Sequence, residues 1–116
     1  MTVDLFAGIA VRDRASAIDW YSRLLGGDPA FLPNDVEAVW EVAEHGYLYV
    51  EERPADAGHA RHTLFVEDLG DRLADAAARG IVPDHDETYD NGVRKVTFRD
   101  PDGNETGFGG QTAPAT

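Results

Sequence analysis

The chain has 116 residues, a formal net charge of −12 and a pI near 4.4. Its length corresponds to one domain, and an acidic chain with no basic patch is excluded from binding nucleic acid through phosphates. Cysteine is absent, which excludes a disulfide framework, a zinc–thiolate site and a thiol nucleophile. No apolar run approaches the roughly 20 residues that cross a bilayer. The N-terminus enters a strand-like pattern without a charged-then-apolar leader, so we expect a cytoplasmic protein with no membrane contact.

The first half of the chain predicts one strand, one helix and three further strands. An extended run over residues 6–13 passes into a helix that begins with Asp13 as N-cap and ends at Gly26. Apolar residues recur along this helix at helical spacing, at Ile18, Tyr21, Leu24 and Leu25. The strand-like segments that follow are 29–32, 37–43 and 47–52, with a turn at His45-Gly46 between the last two.

The second half repeats this order. The run over residues 61–68 resembles 6–13, since both end in Val, a charged residue and Asp. A second helix is predicted from Asp68 as N-cap to Gly80. Three strand-like segments follow at 82–88, 93–99 and 105–109, with Asn91-Gly92 as a strong hairpin signal between the first two.

The repeated order β-α-β-β-β predicts an α+β domain made of two modules, each with a curved mixed sheet. The boundaries are 3–54 for module one, 55–59 for a linker and 60–110 for module two, within a single domain over residues 1–110. Residues 111–116 are expected to be disordered. Each helix would cover one face of its sheet, which leaves the other face free to line a cavity.

Three stretches of the sequence resemble the vicinal oxygen chelate superfamily, the group of glyoxalase I, extradiol dioxygenases, fosfomycin-resistance enzymes and bleomycin-resistance proteins. They are Gly8–Asp13 with Trp20–Gly26, Phe65–Leu69, and Phe98–Asn104, which contains the turn Asp-Pro-Asp-Gly. The resemblance implies the glyoxalase/bleomycin-resistance fold, in which the sheets of two modules form a cup. It also implies a homodimer, because single-domain relatives commonly dimerise.

The resemblance further implies four metal-ligand positions, which relatives fill with His, Glu or Gln. In this chain they fall on Phe6, Arg61 and Gly107, with Tyr49 as the fourth occupant and Glu51 as its alternative. Phenylalanine and glycine bring no donor atom, and a guanidinium repels a cation. We therefore expect no metal and no other cofactor.

Alternating parity along the strands gives candidate residues that line the cup. They are Phe6, Trp40, Tyr47, Tyr49, Glu51, Arg61, Thr63, Phe65, Lys95, Thr97 and Gly107. An apolar, aromatic pocket with a few convergent polar groups is typical of small-molecule sites. Aromatic faces suit flat or cationic ligands, whereas Arg61 suits a carboxylate or phosphate.

The favoured function is metal-independent binding of a small organic ligand, cationic or aromatic, similar to the bleomycin-resistance proteins, with no catalytic residues assigned. The enzyme alternative is a metal-dependent lyase or dioxygenase with a non-standard ligand set, for which His62, Glu51 and Glu105 are the candidates. It requires His62 to enter the cup, although parity places this residue on the helix side. A third hypothesis is a structural or regulatory subunit that uses the cup as an interaction surface.

Overall fold

The computed structural model describes residues 1–112 and contains two helices, seven strands and one short 3₁₀ turn. In chain order the elements are β1 Leu5–Val11, α1 Arg14–Leu25, β2 Glu37–Ala43, β3 Gly46–Glu52, a 3₁₀ turn Pro54–Asp56, β4 Arg61–Phe65, α2 Leu69–Ala78, β5 His85–Thr88, β6 Val93–Arg99 and β7 Glu105–Gln111. The predicted α+β class with two successive modules is confirmed, and module one has two strands after its helix where module two has three. Among the described residues, no helix is long and apolar enough to span a membrane.

Helix α1 begins and ends where its capping residues require. The Ser16 backbone N–H donates to Asp13 Oδ2 over 2.9 Å, which satisfies one of the free donors of the first turn. Gly26 closes the helix with φ of 89°, a left-handed conformation that glycine adopts without a steric penalty. Both predicted caps of α1 are therefore confirmed.

Helix α2 starts directly after Asp68, as predicted, but the Asp68 side chain does not cap it. Asp68 precedes its first residue without capping it, because the Asp68 carboxylate accepts from Arg72 Nε at 2.7 Å instead. The hydrogen bond from Arg72 lowers the pKa of Asp68 below its usual value. This effect is larger than the opposing effect of partial desolvation, and the charge of Arg72 adds to it. The helix ends at Ala78, and Gly80 follows with φ of 85°.

The seven strands form two mixed sheets, one for each module. In module one the order is β1-β3-β2, with β1 parallel and β2 antiparallel to the central β3. In module two the order is β4-β7-β6-β5, with β4 parallel to β7 and the other pairs antiparallel. Each module thus places a parallel pair at one edge of its sheet and antiparallel pairs beyond it.

One hydrophobic core joins the helix sides of both sheets. Tyr21 and Leu24 of α1, Ile9 of β1, and Phe98 and Phe108 of module two belong to the same buried cluster. The Phe98 and Phe108 rings pack edge to face at 5.9 Å. The helix side of each sheet is therefore filled, and the opposite face of each sheet is left for other partners.

A buried polar network ties the two modules together at the predicted Asp-Pro-Asp-Gly turn. Asn104 is fully buried; its side chain accepts from the Ala60 backbone N–H and donates to the Ala10 carbonyl, each over 2.9 Å. Asp100 accepts a 2.7 Å hydrogen bond from the Tyr21 hydroxyl and another from the Asn104 side chain. Burial, followed by the charge of Asp100, raises the pKa of Tyr21, so this hydroxyl keeps its proton.

Three boundaries differ from the sequence prediction. Segment 29–32 is not a strand, because only Phe31 bridges the β2 edge at Val39. The strand predicted over 82–88 is shortened to His85–Thr88. The disorder predicted from 111 is wrong for residues 111 and 112, since Gln111 ends β7 and the Thr112 backbone N–H donates to the Gly92 carbonyl. The rest of that predicted tail, 113–116, lies outside the described residues.

Candidate ligand-binding faces

Each module presents one sheet face away from the core, and we call these the module-one face and the module-two face. In module one the register pairs Phe6 with Tyr47, Gly8 with Tyr49, and Ala10 with Glu51. Since neighbouring residues along a strand alternate sides, these six residues share the face that points away from Ile9 and Val50, which are buried in the core.

The module-one face is aromatic and acidic. The Phe6 and Tyr47 rings stack with centroids 4.4 Å apart and planes inclined by 10°. The Tyr47 hydroxyl donates to Glu41 at 3.3 Å, and partial loss of solvent, then the charge of Glu41, raises the pKa of Tyr47. These two rings form a flat apolar platform beside a carboxylate.

Tyr49 lies over a glycine on the next strand. A Cβ atom added at Gly8 would come within 2.7 Å of the end of the Tyr49 ring, so the ring occupies the space that any other residue would fill. Beside it is a cavity of about 330 Å³, lined by Gly8, Ile9, Ala10, Tyr49, Glu51, Arg53 and Asp56. In it, Arg53 approaches Glu51 at 3.6 Å and Asp56 at 3.0 Å.

The module-two face has the same arrangement with different chemistry. Across β4, β7 and β6 the register forms three rows, which are Arg61–Glu105–Arg99, Thr63–Gly107–Thr97 and Phe65–Gly109–Lys95. A cavity of about 260 Å³ is lined by Arg61, His62, Thr63, Lys95, Thr97, Glu105 and Gly107. The cationic and hydroxyl side chains outnumber the single carboxylate in this lining.

That carboxylate, Glu105, is occupied. Arg61 Nε approaches one oxygen of Glu105 at 4.0 Å, and Arg99 donates to the other at 3.4 Å. Arg99 also lies 3.6 Å from Asp84. These exposed pairs are worth little stability individually, but they neutralise the acidic group at this end of the module-two face.

The structure places Trp40 elsewhere than the sequence prediction did. Trp40 pairs with Leu48 in the β2–β3 register, and both side chains lie on the helix side of the sheet. Trp40 is buried in the core, where its ring centroid lies 5.9 Å from that of Tyr21. Its indole N–H donates to the Gly27 carbonyl at 3.0 Å. Trp40 is therefore a core residue and does not belong to the module-one face.

The ten other predicted lining residues lie on the two faces. Phe6, Tyr47, Tyr49 and Glu51 are on the module-one face, and Arg61, Thr63, Phe65, Lys95, Thr97 and Gly107 are on the module-two face, so the division is four to six. The sequence prediction missed Arg53 and Asp56. They sit in the 3₁₀ turn after β3, and only Pro54 beside them signalled a turn.

The donor groups of the described residues do not fit a metal ion. No three His, Asp or Glu side chains within residues 1–112 come together as a possible metal site. Glu51 is held by Arg53 and Glu105 by two arginines. His62 shares a 2.8 Å hydrogen bond with Thr106, a fully buried residue, and burial lowers the pKa of His62. The structure thus does not bring the three alternative ligands together.

Comparisons with known proteins agree with this architecture. A crystal structure described as a glyoxalase/bleomycin resistance protein from Catenulispora acidiphila DSM 44928 is 51% identical, with a TM-score of 0.92, and the match covers 96% of this chain and 100% of that one. A bleomycin-binding protein crystallised with bleomycin is 20% identical, with a TM-score of 0.76 over 96% of this chain and 100% of that one. A lactoylglutathione lyase from Agrobacterium tumefaciens is 15% identical, with a TM-score of 0.75 over 95% of this chain and 94% of that one. The search of curated proteins found no match.

The two likenesses below 25% identity show the fold, which is that of the glyoxalase/bleomycin-resistance domains. Residues 3–108 match the Glyoxalase/Bleomycin resistance protein/Dioxygenase superfamily over nearly the whole chain. The chain belongs to this superfamily, as its three sequence motifs predicted.

Proposed function

We propose that this protein binds a small organic ligand on its exposed sheet faces without the help of a metal ion. The main support is the set of side chains at the four positions where the family resemblance implies metal ligands. Phe6 is stacked on Tyr47, Tyr49 covers Gly8, Arg61 neighbours Glu105, and Gly107 has no side chain. These groups are suited to stacking, hydrogen bonding and shape, and not to donating electron pairs to a cation.

The module-one face supports an aromatic or cationic ligand. Tyr47 and Tyr49 offer ring faces, and Glu41 and Glu51 place carboxylates beside them. A cation over a tyrosine ring gains roughly 0.5–2 kcal/mol, depending on how far it is desolvated. The bleomycin-binding neighbour gives a first organic compound to test on this chain.

The experiment is a calorimetric titration of bleomycin and of phenyltrimethylammonium into the protein, with and without EDTA. We expect at least one of them to bind equally well in both conditions. Tyr49→Ala should weaken that binding about tenfold, as expected for a lost cation–π contact. Tyr89→Ala is the matched control, because Tyr89 is a half-exposed tyrosine outside the module-one face. Binding that appears only after a divalent metal is added would contradict the proposal.

We also propose that the protein acts in the cytoplasm as a homodimer. Phe6 and Phe65, one from each face, are 47% and 59% exposed, and exposed apolar side chains of this size favour an interaction surface. A second copy of the chain would shield them and narrow the open faces into clefts. Light scattering should give the mass of two chains at micromolar concentration; the mass of one chain would contradict this part of the proposal.

A further inference from the structure

We propose that the module-two face binds an oxyanion, the carboxylate or phosphate group of a small organic ligand, through Lys95, Thr63 and Thr97. The inference rests on the proposed function and names the chemical class that this one face would select. It differs from the cationic or aromatic ligand that the composition favoured, and that the module-one face supports.

Lys95 is the only lysine in a chain of net charge −12. It is half-buried in the middle of β6, where an ammonium group in an acidic protein would be expected to have a carboxylate partner. Within residues 1–112 no carboxylate oxygen lies within 4.0 Å of its nitrogen. The positive charge of Lys95 is therefore available to a ligand.

The acidic residues nearest to Lys95 already have other partners. Glu87 is its cross-strand neighbour on β5, and the Glu87 carboxylate contacts His85 Nε2 at 2.6 Å. Glu105, two rows away on β7, is shared by Arg61 and Arg99. Neither carboxylate therefore forms a direct ion pair with Lys95. The pKa of Glu87 is lowered first by its hydrogen bond with Tyr89 and least by the charge of Lys95, so Glu87 offsets this charge only in part.

Gly107 lets Lys95 and Thr63 approach each other closely over the sheet, because it has no side chain of its own. A Cβ atom added at Gly107 would come within 3.0 Å of Lys95 Cε and 3.1 Å of Thr63 Oγ1. Thr97 pairs with Gly107 from the other side, so Thr63 and Thr97 flank the glycine in one row of the sheet. All four residues line the same cavity. A methyl group at this position would fill the floor of the cavity.

The chemistry of these side chains selects an anion. An ammonium group has three N–H donors and no acceptor, and each threonine adds a hydroxyl that can donate. Hydrogen bonds from a charged donor to a carboxylate or phosphate oxygen are short and strong. The overall charge of −12 repels anions at long range, but at 0.15 M salt that repulsion is screened beyond roughly 8 Å. The contacts within the cavity therefore determine whether an anion binds.

The single lysine provides a specific test. Protein labelled with ¹³C at lysine Cε gives one side-chain signal, which reports on Lys95 alone. Inorganic phosphate, acetate and tetramethylammonium would be titrated separately, with chloride keeping the ionic strength constant. We expect a saturable shift with phosphate, acetate or both, and none with tetramethylammonium. Saturation by only one of the two anions identifies the preferred group, and either result supports the proposal.

Two variants separate a site from a general charge effect. Gly107→Ala should raise the dissociation constant of the anion at least about tenfold, because it places a methyl group against Lys95 and Thr63. Arg12→Met is the matched control, since it removes one exposed positive charge outside the cavity, and it should change the constant less than about twofold. Lys95→Met, followed through the amide signals of Thr63 and Gly107, should abolish saturable binding.

A Lys95 signal that does not move with either anion, or that moves equally with chloride, would overturn the inference. Equal weakening by Gly107→Ala and Arg12→Met would overturn it too. These outcomes are separable from failure of the proposed function, which is tested with bleomycin and phenyltrimethylammonium against Tyr49. An organic cation that still binds while Lys95 stays silent leaves that function standing without this inference.

Discussion

The two modules use one backbone arrangement to present two different chemical surfaces. In both, a long side chain lies across a glycine of the neighbouring strand, Tyr49 over Gly8 in module one and Lys95 over Gly107 in module two. Module one surrounds this contact with rings and carboxylates, and module two surrounds it with hydroxyls and cations. The repeat therefore fixes where a side chain is placed, while the residue type at that place decides what can bind.

The two faces keep their relative positions because a buried network around Asn104 holds the modules together. Asn104→Ala should lower the free energy of unfolding by about 3 kcal/mol, because it leaves the Ala60 N–H and the Ala10 carbonyl of the two modules unpaired in the buried network. Asn91→Ala is the control, since Asn91 is exposed and its side chain accepts a local hydrogen bond from Val93 N. Urea denaturation measures both; an equal loss would show that the network does not join the modules.

A second, smaller effect tests whether His62 belongs to the core side of module two. Burial lowers the pKa of His62 in the folded state, so the unfolded chain binds this proton more readily. Stability should therefore be complete above the unfolded pKa of about 6.5 and should decline as pH falls through it. The lowered pKa values of Asp86 and Glu87 act only at still lower pH, around their ordinary values of 3.8 and 4.5.

His62→Gln should flatten the decline in stability between pH 7 and about 5, because it removes the group whose protonation the fold resists. His59→Gln, at an exposed position in the segment between the modules, should leave the profile unchanged. Thermal denaturation at a series of pH values measures the slope. An unchanged slope in His62→Gln would place this histidine in a solvated position, free to enter the cup.

The smallest effect compares the two glycines directly. In Gly8→Ala the new Cβ atom would lie 2.7 Å from the end of the Tyr49 ring, so the ring must move. In Gly107→Ala the new Cβ atom would lie 3.0 Å from Cε of the flexible Lys95 side chain. Alanine also gains roughly 0.5–1 kcal/mol over glycine in an extended strand. We expect Gly107→Ala to be nearly neutral in stability and Gly8→Ala to be less stable by about 1 kcal/mol. The reverse order would mean that Tyr49 yields more easily than Lys95.

Much of the fold was predictable because its signals are local. The caps Asp13 and Gly26, the hairpin residues Asn91-Gly92 and the alternation along β6 each act within a few residues. Segment 29–32 was wrongly predicted because apolar residues beside a proline look like a strand, although Ala30 and Phe31 bond to β2 at the single residue Val39. Asp68 precedes its helix as predicted, but its carboxylate accepts a hydrogen bond from the Arg72 side chain and does not cap the helix backbone.

The candidate faces were predictable to the extent that parity holds. It assigned Thr63, Thr97 and Gly107 to the lining, and they share one side of the sheet because β4, β7 and β6 are regular. Trp40 was misplaced because β2 carries buried residues in succession, and sequence parity could not tell which side the indole takes. The lack of a partner for Lys95 could not be predicted either, since it depends on His85 and two arginines that engage the nearby carboxylates.

The central claim is that the family's metal-ligand positions serve organic recognition in this chain. Mass-spectrometric metal analysis of protein purified without chelators tests it most directly. We predict zinc, nickel, manganese and iron far below one ion per chain, with no change in Glu105→Gln. A stoichiometric transition metal that disappears in Glu105→Gln would contradict the account.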